Sequence, residues 1–175
     1  MQLNKTYLQQ KSPWCVSELV SFIYEAHINT YAAIESQGAL YLVKSNLPEH
    51  IDYQFTKGEW SYRDSYTGYY WPPGKEVVFY KNRPCWCMSY QGMMVGDYTH
   101  GLAEQTYSFL KTALRSMTVT EPFRGPQKFE SNSWLYLFKK EGDPLYFTGR
   151  EEIYKNGKLM FFQDIMASAI FHEDL

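Results

Sequence analysis

Three carboxylates sit where residue type and spacing favour chemistry. Asp64 lies in "WSYRDSYTGYYW", with Tyr62, Tyr66, Tyr69 and Trp71 around it. A carboxyl group among aromatic rings loses hydration, which favours its protonated form and suits it to acid or base work. Glu76 stands near the start of "GKEVVFYKN", and Glu151 near the start of the similar "GREEIYKN". Two such carboxylates on one curved sheet, converging on a cavity, would serve a small hydrolase or isomerase. Each also has a plainer reading. Asp64 would end an edge strand and initiate the "SYTG" turn. A glutamate at a strand start would accept backbone N–H bonds or pair with a basic side chain. Because a catalytic acid is normally unique to its cleft, the recurrence of Glu76 as Glu151 favours the structural reading. Each glutamate is then expected to be buried and bonded to backbone donors or to a basic side chain of its own half.

The thiols offer less. Cys15, Cys85 and Cys87 are an odd number, which argues against a disulfide framework. Cys85 and Cys87 are two apart, so a regular strand would point both to one face. Two thiolates do not complete a four-ligand zinc site, and His27, His50, His100 and His172 show no ligand spacing with them. No metal and no cofactor are expected. The chain carries no Gly-rich phosphate loop, nucleophile elbow or zincin helix.

Composition restricts the partners. Of 175 residues, 18% are aromatic, including 16 Tyr, and the net charge is -2. Tyrosine joins a large apolar face to a polar tip, which suits half-buried sheets and recognition surfaces. Basic residues form no block able to neutralise many phosphates, so nucleic acid is not an expected partner. No run of 18 apolar residues predicts a membrane span, and "MQLNKTYLQQKSPW" has no apolar leader core. The expected location is cytoplasmic, with export by a route that reads some other signal left open.

These residues must be positioned by a small set of elements. Ser12-Pro13 reads as a helix start, and Val16, Leu19, Val20 and Ile23 recur at helical spacing, ending near Ala32 to Gly38. "GLAEQTYSFLKTALRSM" is a second amphipathic helix, with Leu102, Thr106, Phe109, Leu110, Ala113, Leu114 and Met117 inward. Strands are expected at Leu40 to Pro48, through Trp60 to Asp64, Glu76 to Tyr80 and Cys85 to Gln91. Further strands follow at Ser133 to Lys139, Leu145 to Thr148, Glu151 to Tyr154 and Leu159 to Met166. Trp60-Ser61-Tyr62 matches Trp134-Leu135-Tyr136, and the Gly74 run matches the Gly149 run with one residue of slack. The expectation is α+β: one domain over 1–175 with pseudo-repeat halves of about 13–97 and 98–170. Two three-strand units would merge into a curved antiparallel sheet, with two main helices on one face.

The ordered array "WSYRDSYTGYYWPPGKEVVFYKNRPCWCMSYQG", "FRGP" and "YFTGREEIYKNGKLMFF" resembles a family of uncharacterised bacterial domains of unknown function. Its members are similar in carrying Y-x-D-x-Y-x-G, G-x-E, W-x-M-x-Y-x-G, R-G-P and a final G-x-E hairpin. The resemblance covers roughly Val16 to Met166. In some members the domain follows a helix-turn-helix of the xenobiotic-response type, which implies a sensor or interaction module. This chain departs from that pattern: one helix precedes Trp60, too few for such a head. Pro72-Pro73 and Arg83 also replace an aromatic and a glycine. A regulator role is therefore not carried over, and the resemblance supplies no catalytic residues.

The favoured expectation is a binding or sensor-type module whose aromatic sheet surface holds a small ligand or a partner protein. Tyr62, Tyr66, Trp71, Trp86 and Tyr90 are its candidate binding residues. An enzyme using Asp64, Glu76 or Glu151 is the first alternative. A stand-alone interaction protein or secreted effector is the second, and a homodimer remains open.

Overall fold

The computed structural model describes residues 12–172, so most of the segment read for a leader lies outside the described residues. The first helix, α1, spans Val16–Asn29. It starts later than the Ser12-Pro13 signal. Trp14 is buried and stacks on Phe171 at 6.1 Å, so the chain approaches the core before it can coil. Cys15 becomes the extended N-cap, and its N–H donates to Glu18 at 3.5 Å. Thr30 ends the helix, its hydroxyl donating to the Ala26 carbonyl at 2.7 Å. A single turn, α2 (Glu35–Gly38), and a 3-10 turn (Ala39–Tyr41) follow.

The expected Leu40–Pro48 strand shrinks to β1 (Leu42–Val43), and pairing passes to β2 (His50–Lys57). Then come β3 (Trp60–Thr67), β4 (Gly74–Tyr80) and β5 (Arg83–Met94). The second long helix, α3 (His100–Leu114), is capped by Thr99, whose hydroxyl accepts from Leu102 N–H at 3.2 Å. The chain closes with β6 (Lys128–Ser131), β7 (Trp134–Asp143), β8 (Tyr146–Lys155) and β9 (Lys158–Ala169). The two segments expected at Leu145–Thr148 and Glu151–Tyr154 are one strand. Gly149 does not turn the chain; its missing Cβ leaves room for the Phe138 ring, which a methyl group would meet at 2.8 Å.

All nine strands form one open, curved, antiparallel sheet in the order β1-β2-β3-β4-β5-β9-β8-β7-β6. Two meanders thus join through their last strands, leaving short β1 and β6 at the edges, where exposed backbone invites unwanted pairing. The β5–β9 register centres on Tyr90↔Ile165, with Trp86↔Ala169 and Met94↔Phe161 standing symmetrically about it. Both inner hairpins close through two residues at positive φ: Lys81-Asn82 (52° and 63°) and Asn156-Gly157 (51° and 75°). Such turns match the right-handed strand twist. Both hairpins also shift register just before the turn, between Val78 and Phe79 and between Ile153 and Tyr154. The first shift makes Cys85 an extra residue on its strand. Cys85 is therefore buried in the core while Cys87 is half-buried, rather than the two sharing one environment.

One contact of the same kind secures each long helix. Phe22 of α1 stacks on Trp60 at 5.5 Å and 26°, and Phe109 of α3 stacks on Trp134 at 5.4 Å and 26°. Burying rings of this size contributes about 1.5–3 kcal/mol each. Leu19, Ile23, Ala26, Leu110, Ala113 and Leu114 join Tyr62, Val78, Trp86, Met88, Phe147, Ile153 and Phe161 in one core on this face of the sheet. Among the described residues, no helix is long and apolar enough to cross a membrane.

Candidate functional site

Strand alternation delivers polar groups into the middle of that core. Glu76 and Glu151 face inward from β4 and β8, and each meets a tyrosine from the preceding strand. Tyr136 donates to Glu151 Oε2 at 2.9 Å, and Tyr62 lies near enough to Glu76 for the carboxylate to act on its phenol. Burial, then the adjacent carboxylate, pushes both phenols far above their ordinary range. From there the halves differ. Glu76 Oε2 lies 2.6 Å from His27 Nε2, and His27 Nδ1 lies 2.7 Å from the Pro122 carbonyl oxygen. A carbonyl only accepts, so Nδ1 donates to it, and a single proton is held between Nε2 and the carboxylate. Glu151 instead receives Arg124 side-on, Nε at 3.1 Å and Nη2 at 2.7 Å. Arg124 Nη1 reaches to 3.8 Å from Glu76 Oε1, and the guanidinium lies 5.7 Å over the Tyr90 ring.

The Arg-Gly-Pro loop is built for this insertion. Gly125 donates its N–H to the Tyr136 hydroxyl at 3.1 Å, and a Cβ there would meet the Tyr136 ring at 2.8 Å. Gly74 serves a similar purpose. It pairs with Tyr90, whose ring occupies the space of a Cβ, and the Tyr90 hydroxyl thereby reaches Asp64 Oδ1 at 2.6 Å. Asp64 is the cross-strand partner of Glu76. Burial, then repulsion from Glu76, pushes its carboxyl up to about 7, against the opposing pull of Tyr90, Arg124 and His27. A further negative charge buried beside Glu76 is unfavourable, which is why the neutral form of Asp64 is favoured. Beside this cluster, the amide nitrogen of Gln163 is buried with no hydrogen-bond partner among the described residues.

Cavities lie around the cluster rather than in it. One of about 570 Å³ is walled by Tyr31, Tyr66, Tyr69 and Tyr107, with Lys111 entering from α3 and Arg115 from its C-cap. Tyr31 and Tyr66 meet edge to face at 5.8 Å. Tyr107 holds the β3–β4 loop by donating to the Tyr69 carbonyl oxygen at 2.5 Å. A more open depression of about 730 Å³ lies across the helix-free face, lined by Ser89, Gln91, Lys139, Thr148 and Asp164 among others. A third, of about 360 Å³, flanks the Arg124 loop. None of the three is lined by Asp64, Glu76 or Glu151.

The candidates named from sequence are thus partly gathered. Asp64, Glu76 and Glu151 converge with Tyr62 and Tyr90 in one buried network, and both glutamates bind a basic side chain of their own half. Tyr66 lines the tyrosine-walled cavity. Trp86 is fully buried, donating Nε1–H to the Pro144 carbonyl at 3.0 Å. Trp71 is 59% exposed on the β3–β4 loop. Sequence reasoning missed His27, although it falls four residues after Ile23 on the apolar stripe of α1. It also missed Arg124, visible only as part of "FRGP", and the cavity residues Tyr31, Tyr107, Lys111 and Arg115.

Neither a curated protein nor a solved structure matches the chain. A family model described as Domain of unknown function (DUF5680) matches residues 64–170. The match opens at Asp64 and includes Glu76, Tyr90, Arg124, Tyr136 and Glu151, so it contains the buried network apart from Tyr62 and the His27 that α1 contributes. The chain belongs to the DUF5680 family.

Proposed function

We propose that this protein is a small-molecule binding module of the sensor type, and that its ligand occupies the cavity walled by Tyr31, Tyr66, Tyr69 and Tyr107. The observation that carries this reading is the cavity itself. Its volume of about 570 Å³ falls within the range of small-ligand sites, and its walls combine apolar ring faces with a few polar groups. The buried network serves as its foundation. Tyr66 extends from the same strand as Asp64 and meets Tyr31 edge to face, so the inner wall of the cavity continues from the strand that carries the network. The carboxylates are engaged with partners and line none of the three cavities, which favours binding over hydrolysis or isomerisation. Matching hairpin turns, register shifts, Phe–Trp stacks and Tyr–Glu pairs support an origin by internal duplication, in which one half retained a helix histidine and the other recruited Arg124. Three free cysteines support a cytoplasmic location.

Ser108 is an exposed residue of α3 on the cavity wall, so Ser108→Trp fills the cavity without disturbing the core. In a thermal-shift screen of a metabolite library, compounds that raise the wild-type melting temperature are expected to lose that effect on Ser108→Trp. Hits that stabilise both proteins equally would reject the cavity as the ligand site.

A further inference from the structure

Resting on the reading that this cavity is the ligand site, we infer that its ligand is a small organic anion: a planar ring bearing a carboxylate or comparable acidic group. Two cations enter the cavity one helical turn apart, Lys111 from α3 and Arg115 from its C-cap. Lys111 is half-buried, and its ammonium lies 5.0 Å over the Tyr31 ring. Burial lowers its pKa, against the pull of Glu35. Among the described residues, no carboxylate lies within ion-pairing distance of its nitrogen; Glu35 influences it only from further off. Among the described residues, Arg115 is held in place through neutral groups alone, Nη1 donating to the Ala32 carbonyl at 3.2 Å and Nη2 to Thr112 Oγ1 at 2.9 Å. Its guanidinium is thus oriented while its charge stays available.

The acids of the same cavity are placed differently. Glu104 stands at the other end of the helix face, exposed and 3.5 Å from His100 Nε2, and Glu35 is exposed as well. Ring faces and an unspent pair of cations therefore meet at the Tyr31 end of the cavity. An incoming carboxylate would supply the acceptor that a half-buried ammonium lacks. A planar ring would lie among Tyr31, Tyr66 and Tyr107, where offset and edge-to-face contacts are favoured.

Three probes of one shape and different charge test this: 4-hydroxyphenylacetate, its neutral amide, and tyramine. Each is titrated into the full chain by calorimetry, with the tyrosine resonances followed by NMR. The acid is expected to bind at least about 10-fold more tightly than the amide. Lys111→Gln and Arg115→Gln are each expected to reduce acid binding toward the level of the amide and to leave amide binding unchanged. Equal affinity for acid and amide, or preference for tyramine, would overturn the anion assignment while leaving the cavity as a ligand site. Failure of all three at millimolar concentration to shift any cavity tyrosine would overturn both. Melting temperatures of the two variants within a few degrees of wild type show that changed binding is not lost folding.

Discussion

At the residue scale, the unusual group is Asp64. Burial, then repulsion from Glu76, disfavours its negative charge, while Tyr90, Arg124 and His27 favour one, and its carboxyl is pushed up to about 7 from 3.8. A raised folded-state value means that the native state holds its proton when the unfolded chain has released it. The contribution is therefore fully present below about pH 4 and is lost as pH rises through about 7. Asp64→Asn keeps an acceptor for the Tyr90 hydroxyl and cannot ionise. Denaturant unfolding of both proteins from pH 4.5 to 8 is expected to show the variant gaining on wild type as pH rises. The gain approaches about 1.4 kcal/mol per pH unit in the steepest region. A constant difference across that range would mean that Asp64 ionises normally.

At the element scale, the loop between α3 and β6 is held by buried groups rather than by regular structure. His27 bonds to the Pro122 carbonyl, Glu151 grips Arg124, and the Tyr136 hydroxyl accepts from Gly125 N–H. Glu151→Gln strips the guanidinium of its charge partner in the core and should cost about 3–5 kcal/mol. Glu76→Gln should cost less, because His27 can exist as a neutral ring. Thermal melting orders the two. Limited trypsin digestion reads the loop: cleavage after Arg124 is expected in Glu151→Gln and not in wild type, and equal resistance of both would show that the ion pair does not hold it. Sequence reached this level unevenly. α3 and the hairpin turns were legible because their apolar spacing and turn residues are local signals. β2 was not, since Asp52 is a charged residue buried by Arg63 and Ser65 on the next strand and so breaks the alternation that marks a strand. The Arg124–Glu151 contact was beyond reach because residues far apart in sequence meet only through the order of the sheet.

At the scale of the whole molecule, two helix-clamped meanders form one sheet, a charged network lies at their junction, and an aromatic cavity opens beside it between α3 and the β3–β4 loop. The proposed ligand cavity is thus on the helix side of the sheet, away from the open depression at Ser89, Thr148 and Asp164. The most direct measurement is a crystal structure of the protein with the ligand that stabilises it most in the thermal-shift screen. Density between the rings of Tyr31, Tyr66 and Tyr107, with Lys111 and Arg115 in reach, is the result expected. Density on the helix-free face, or against the carboxyls of Asp64, Glu76 or Glu151, would contradict the proposed site, and the second location would return those carboxylates to consideration as catalytic groups.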